Sequence, residues 1–191
     1  MPGSSTRRSG PPRRRDRTPG ALSPARGSGE GTRFVVDAML GSLARKLRAL
    51  GFDAAYYKAG GDSGLLELSR REGRILLTSD RSLAARAKSR QFTVFLVTGD
   101  SDGKRIGSIA RSAALSGARL ARGEPLCSLC GGALRVAARG KLAKVPPLVL
   151  RRHRLFFECA SCGQVYWRGS HWKRLMSLAR RLNQKKLADL P

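Results

Sequence analysis

From Arg33 onward the chain alternates short apolar runs with stretches in which leucine and alanine recur at helical spacing. Phe34-Val-Val36 is the first run, and it ends at Asp37. Leu40, Leu43, Ala44 and Leu47 then share one helical face, away from Arg45, Lys46 and Arg48, and Gly51 supplies a C-terminal stop. Ala54-Ala-Tyr-Tyr57 predicts a second strand; residues 63–72 predict a helix with Leu65, Leu66 and Leu68 for the core, closed by Gly73. Arg74-Ile-Leu-Leu77 predicts a third strand, which stops at Thr78-Ser-Asp80 before a helix that runs from Ser82 to about Ser89. Residues 92–97 form a fourth strand ending at Thr98-Gly-Asp100, and residues 104–121 a helix. Four strand–helix alternations with short connections predict an α/β fold: a central parallel sheet with helices on its faces. Right-handed crossovers bring all the strand ends to one edge.

The flanks read differently. Residues 1–32 are Gly-, Pro-, Ser- and Arg-rich with almost no bulky apolar side chains, and predict a disordered basic tail. After residues 33–122, the α/β unit, residues 123–171 carry paired cysteines and short β-like runs, and a basic helix follows from about Trp172 to Leu187. There is no apolar run long enough to cross a membrane and no apolar secretory core near the start, which favours a cytoplasmic protein without a membrane partner.

Charge narrows the class of partner. With 38 Lys+Arg against 13 Asp+Glu, the formal charge is +25. Such an excess attracts polyanions, and nucleic acid is the natural partner; an arginine-rich solvated surface is the plain alternative. Eight of the thirteen acids lie between Asp37 and Asp102. Asp37 follows the first strand, Asp62 the second, Asp80 the third, and Asp100 with Asp102 the fourth. Carboxylates gathered at one edge repel unless a cation or proton neutralises them. Hard oxygen ligands suit Mg²⁺ or Mn²⁺, and the matching chemistry is metal-assisted phosphodiester hydrolysis. Each of these aspartates also stands at or near a helix start, where capping is a sufficient role. Asp53 reads as a turn residue, and Glu67 and Glu72 as solvated helix face. No rival catalytic set competes: His153 and His171 fall outside the α/β unit, Ser79 and Ser82 lack a base, and no P-loop is present.

Cys127-x-x-Cys130 and Cys159-x-x-Cys162 are the chain's only cysteines and have the spacing of a four-thiolate zinc site. Gly131-Gly132 and Gly163 follow the second cysteine of each pair, where the backbone must turn toward the metal. Four thiolates close the coordination sphere, so this zinc is structural and His171 is surplus as a ligand. Arg151 and Arg152, with Trp167 and Trp172, offer charges and stacking faces suited to RNA, as Arg45 and Arg81 do beside the strand edge. Phe156 and Tyr166 read instead as core of the small module. Lys173, Arg174, Arg180, Arg181, Lys185 and Lys186 of the last helix either contact phosphates or are simply solvated.

The stretch Phe34-Val-Val-Asp-Ala-Met-Leu-Gly-Ser-Leu-Ala-Arg-Lys-Leu-Arg-Ala-Leu-Gly-Phe-Asp53, followed by Arg74-Ile-Leu-Leu-Thr-Ser-Asp-Arg-Ser-Leu83, resembles the ribonuclease domain named after the C-terminus of the Mut-seven exonuclease, a family of the PIN-like superfamily. The likeness continues through the cysteine pairs to Val165-Tyr-Trp-Arg-Gly-Ser-His-Trp172 and covers about residues 33–180. It implies a PIN-like three-layer sandwich, a divalent-metal ribonuclease site and an appended zinc ribbon. Within the matched motifs the catalytic positions carry over to Asp37 and Asp80. Asp62 matches a looser acidic position, and a further acid falls on Asp100 or Asp102. The expectation is a metal-dependent ribonuclease acting on RNA, whether tRNA, rRNA or the ribosome. A non-catalytic RNA- or ribosome-binding protein on the same fold is the alternative, ahead of a toxin of a toxin–antitoxin pair.

Overall fold

The computed structural model describes residues 32–58, 60–117, 120 and 122–184. The basic tail expected over residues 1–32 lies outside them, Thr32 apart, as do Lys185 and Lys186 and the side chains of Arg180 and Arg181.

Four parallel strands, β1 (Arg33–Val36), β2 (Asp53–Tyr56), β3 (Ile75–Thr78) and β4 (Val94–Leu96), form one sheet in the order β2-β1-β3-β4. Helices α1 (Gly41–Ala49), α2 (Gly61–Glu72), α3 (Arg81–Ser89) and α4 (Asp102–Leu115) follow the strands in turn. Side chains alternate across a strand, and the core divides accordingly. Phe34, Val36, Leu77 and Phe95 pack with Leu43 and Leu47 of α1 and Ile106 and Ile109 of α4. Val35, Leu76 and Val94 pack on the other face with Leu65 and Leu66 of α2 and Leu83 and Ala87 of α3. The result is an α/β/α sandwich around a parallel sheet.

Most of the expected elements form, with revised ends. The third strand starts at Ile75, since Arg74 still closes α2, its amide donating to Ser69 O (2.9 Å). The buried Arg74 guanidinium donates to both carboxylate oxygens of Asp53 (2.9 and 3.1 Å), to Glu72 Oε2 (2.7 Å) and to the Phe34 carbonyl (3.1 Å). Asp53, expected in a turn, therefore opens β2, and Glu72, expected on a solvated face, is an ion-pair partner. Burial pushes the Glu72 carboxyl up, but the bonds and charges of Arg74 and Arg71 together outweigh it and hold the group below its ordinary value. Burial likewise pulls the Arg74 guanidinium down, and its two acidic partners raise it overall. The fourth strand is shorter than its apolar run, and α4 ends at Leu115 rather than near Ala121.

A second, antiparallel sheet follows: β5 (Leu134–Val136), β6 (Phe156–Cys159) and β7 (Val165–Trp167), in that order. Together with the cysteine quartet it fits a zinc ribbon. Where only β-like runs were expected, a 3-10 turn (Arg139–Lys144) and α5 (Pro147–Arg152) intervene, and Pro147 suits the first helical turn. The last helix, α6 (Ser170–Gln184), starts earlier than Trp172. Its Leu175 is buried in the α1/α4 layer, and Met176 packs against the same cluster.

The ribbon is fastened to the sandwich by the end of α1. Gly123 N donates to Gly51 O (2.8 Å), and Leu126 N to Arg48 O (2.9 Å). The Arg48 guanidinium, almost wholly buried, donates to Ala54 O (2.7 Å), Leu129 O (2.7 Å) and Ser128 O (3.3 Å). Burial pulls its pKa below the ordinary value despite Cys130, Cys127 and Asp53 nearby. Among the described residues no helix is long and apolar enough to cross a membrane.

Candidate functional site

All four parallel strands end at one edge of the sheet. In the order β2-β1-β3-β4 the chain leaves β1 toward one side and returns to β3 on the other, so the crevice between β1 and β3 is the topological switch point where such sheets bind ligands. Asp37 and Asp80 stand on either side of it. The register pairs Val36 with Leu77, which brings Asp37 beside Thr78, and the Asp37 amide extends the ladder to Leu77 O at 3.0 Å. Thr78, fully buried, donates its hydroxyl to Asp37 Oδ2 (2.7 Å) and accepts the Asp80 amide (3.0 Å).

The two carboxylates differ in local duty. Asp80 is the N-cap of α3: its Oδ1 accepts Ser82 N (2.7 Å) and Leu83 N (3.1 Å). Asp37 precedes a 3-10 turn, Ala38–Leu40, but makes no side-chain cap. Both are half-buried, and each keeps one oxygen without a partner among the described residues.

The other three aspartates are held by cations. Asp62, exposed in the first turn of α2, pairs with Arg86. Asp100, fully exposed, accepts Lys104 Nζ at 2.9 Å, and that bond holds its carboxyl below the ordinary value. Asp102, in the first turn of α4, accepts Lys46 Nζ at 2.7 Å. Among the described residues these carboxylates do not come together as a group of three that could hold a metal ion; only the cysteines do. Sequence reasoning passed over Thr78 and Lys46. Thr78 carried a readable signal, a hydroxyl two residues before Asp80 at the end of a buried strand. Lys46 carried none, because its partner lies across the layer.

The four sulfur atoms of Cys127, Cys130, Cys159 and Cys162 lie within 4.8 Å of one another. Cys127 to Cys162 is 3.6 Å and Cys130 to Cys159 is 3.4 Å. Tetrahedral zinc with Zn–S bonds of about 2.3 Å separates its sulfurs by roughly 3.8 Å, so the quartet fits that ion. Each pair forms a tight knuckle. Gly131 N and Gly163 N return to the carbonyls of Cys127 and Cys159 at 2.8 and 3.0 Å, with φ of 81° and 71° that favour glycine. Gly132 N and Ser161 N approach the sulfurs of Cys130 and Cys159 at 3.4 Å. Burial pushes the Cys127 thiol up, but bonds from Tyr166 Oη (3.0 Å) and backbone amides outweigh it and bring the thiol to about 7. Burial first, and then the neighbouring cysteines, push the Cys130 and Cys162 thiols up.

Of the side chains expected to meet RNA, Arg45, Trp167 and Trp172 line one cleft of about 760 Å³ between α1, β7 and the start of α6. Arg81 is exposed on the first turn of α3, beside Asp80. Arg151 and Arg152 are exposed on the last turn of α5, outside that cleft. Phe156 is buried as expected, and Tyr166 is half-buried with its hydroxyl on Cys127 and Ser128. His171 is exposed on the cleft wall.

The family model for the Mut7-C RNAse domain matches residues 32–179. No curated protein and no solved structure matches the chain.

Proposed function

The chain belongs to the Mut7-C RNAse domain family, whose function is of ribonuclease type, and from that premise we propose that it hydrolyses RNA phosphodiester bonds at the carboxyl edge of its parallel sheet. The observation that carries the proposal is the pairing of Asp37 and Asp80 across the β1/β3 crevice through Thr78. Two carboxylates suffice for Mg²⁺ or Mn²⁺, which keep several waters and take further oxygens from a phosphate. When bound, such an ion neutralises phosphate charge and lowers the pKa of a coordinated water.

The chain's own residues do the rest. Thr78 fixes the rotamer of Asp37 through one oxygen and leaves the other to the ion. Asp80 is oriented by the two α3 amides on Oδ1, which leaves Oδ2. Arg81 and the basic faces around it attract and hold the RNA backbone. A third acid comes from Asp62, Asp100 or Asp102 when its pairing with Arg86, Lys104 or Lys46 is exchanged for the ion. The four thiolates hold a structural zinc, which requires a reducing compartment and fits a cytoplasmic protein. The RNA is tRNA, rRNA or RNA within the ribosome.

A non-catalytic RNA- or ribosome-binding role is the second reading. The three cation-held aspartates favour it, because Lys46, Arg86 and Lys104 already supply the neutralising charge that a metal would bring.

Cleavage of labelled single-stranded and structured RNAs by the zinc-loaded protein, with Mg²⁺ or Mn²⁺, separates the two. Loss of cleavage in Asp80→Asn with RNA binding kept supports hydrolysis at the strand edge. Tight binding without cleavage by either protein supports the second reading.

A further inference from the structure

The cleft between α1 and the ribbon has a composition that neither core packing nor the strand-edge site explains. On its α1 side stand Ser42, Arg45, Lys46 and Ala49, which lie on one helical face. On its ribbon side stand Phe157 and Trp167, with Trp172 from α6. Its volume, about 760 Å³, falls in the range of sites that enclose small organic groups. The walls are largely aromatic and aliphatic, and the charges around them are mostly positive: Arg45, Lys46 and Arg168 against Glu124.

Several of these groups are already set in place. Arg168 lays its guanidinium over the Phe157 ring, 5.5 Å from the centroid. Tyr166, in the cleft wall, is pinned by the sulfur of Cys127 at 3.0 Å and by Ser128 Oγ at 3.2 Å. Gly169 lets the Trp167 indole lie across the turn into α6: a Cβ there would stand 3.1 Å from Nε1. Lys46, which lines the cleft, links it to the start of α4 through its bond to Asp102 at 2.7 Å.

We infer that this cleft is a nucleotide subsite, which receives an unstacked base of a single RNA strand against Trp167 and Trp172 and its phosphate at Arg45 and Arg168. Aromatic faces take any base by stacking, and guanidinium groups take the phosphate that follows it. The inference rests on the ribonuclease reading for the identity of the polyanion. It adds that substrate is gripped between the sandwich and the ribbon before it reaches Asp37 and Asp80. It also gives the zinc a task in recognition, because the ribbon wall exists only while the cysteine quartet is closed.

The chain has two tryptophans, and both line this cleft, so its intrinsic fluorescence reads the site alone. The test titrates the full-length zinc-loaded protein, without added Mg²⁺ or Mn²⁺, with oligouridylate and oligoadenylate. Tryptophan emission and the anisotropy of end-labelled RNA are followed together. The expected result is a saturable emission change with the same midpoint as the anisotropy. Trp167→Ala and Trp172→Ala each weaken binding roughly 5- to 150-fold, the range for loss of one stacked base. Arg45→Glu, a change at an exposed helix position, weakens binding and lowers its salt dependence, and it carries the test if a tryptophan variant fails to fold. RNA that binds by anisotropy with unchanged emission overturns the subsite, as do variants that bind like wild type or a failure to bind RNA at all. Cleavage is scored separately with Mn²⁺. Cleavage without an emission change sinks the subsite alone, whereas an emission change without cleavage keeps the subsite and sinks the hydrolytic reading.

Discussion

Asp37 and Asp80 are joined through one hydroxyl: Thr78 Oγ1 donates to Asp37 Oδ2 at 2.7 Å and accepts the Asp80 amide at 3.0 Å. A side chain without charge thus ties the Asp37 carboxylate to the Asp80 backbone. Replacing it with valine keeps the shape but leaves a half-buried carboxylate oxygen and a half-buried amide without this partner. Thr78→Val is expected to cost about 1–3 kcal/mol of stability and to weaken Mn²⁺-dependent cleavage by about 10- to 100-fold, the usual loss when a ligand's supporting group is removed. Thr78→Ser, which keeps the hydroxyl, restores most of both. Urea unfolding and a Mn²⁺ titration of cleavage measure the two effects. A valine variant with wild-type cleavage would show that the hydroxyl is only structural.

Asp80 has two jobs that substitution can separate. Asparagine still caps α3, so Asp80→Asn should unfold within a few tenths of a kcal/mol of wild type, whereas Asp80→Ala loses about 1 kcal/mol. If Asp80 is a metal ligand, both variants lose cleavage equally. Cleavage that tracked stability instead, intact in Asn and reduced in Ala, would reduce Asp80 to a cap.

The Arg74 cluster predicts a stability effect without a catalytic one. With its side chain 1% exposed, Arg74→Met removes the cation from Asp53 and Glu72 and should cost about 3–5 kcal/mol. The triple variant Arg74→Met, Asp53→Asn, Glu72→Gln should recover part of the loss, because the only charges left without these partners, Arg33 and Arg71, are exposed to water. A denaturant series settles it; a single variant no less stable than the triple one contradicts the account.

Glu72 also gives the cluster a pH signature. Its folded carboxyl is held below the unfolded value of about 4.3. The folded state therefore binds fewer protons than the unfolded chain in the acid range. This contribution is complete above pH ~4.3 and is lost as pH falls through the folded value. Urea midpoints from pH 7 down to 3 should fall less steeply for Glu72→Gln than for wild type. Parallel profiles would remove Glu72 from the acid response.

Zinc loss should be visible in the thiols. Metal analysis is expected to return about one zinc per chain, with the thiols slow toward a thiol reagent until a strong chelator is added. Chelation opens the knuckle that presents the Ser128 and Leu129 carbonyls to Arg48, so the melting temperature should fall as well. Fast thiol reaction in a zinc-replete sample would argue against a closed four-sulfur site.

The parts of this architecture that were legible along the chain are those encoded locally. Val35 and Leu76 announce strands, Leu43 and Leu47 a helix face, and the spacing of Cys127, Cys130, Cys159 and Cys162 a metal set, because each signal lies within a few residues or in a fixed motif. Asp37 and Asp80 were readable as strand-end acids for the same reason. What eluded reading depends on register and on packing between distant elements. Asp53 meets Arg74 only because β1, β2 and β3 lie side by side, and Lys46 reaches Asp102 only because α1 and α4 cover the same face. Trp167, Trp172 and Arg45 could each be singled out along the chain as candidates for RNA contact. Their assembly around one cleft could not, since it requires the ribbon to dock on α1.

Helix α6 returns past the ribbon to bury Leu175 in the layer of α1 and α4. During synthesis, then, that layer stands incomplete while the whole ribbon is made, and its last apolar strip arrives only after both cysteine pairs have left the ribosome. The ribbon can thus close around a metal ion before the final docking step, without passing a finished surface. The same order makes the α1/α4 face the part of the nascent chain most exposed to chaperones and to aggregation.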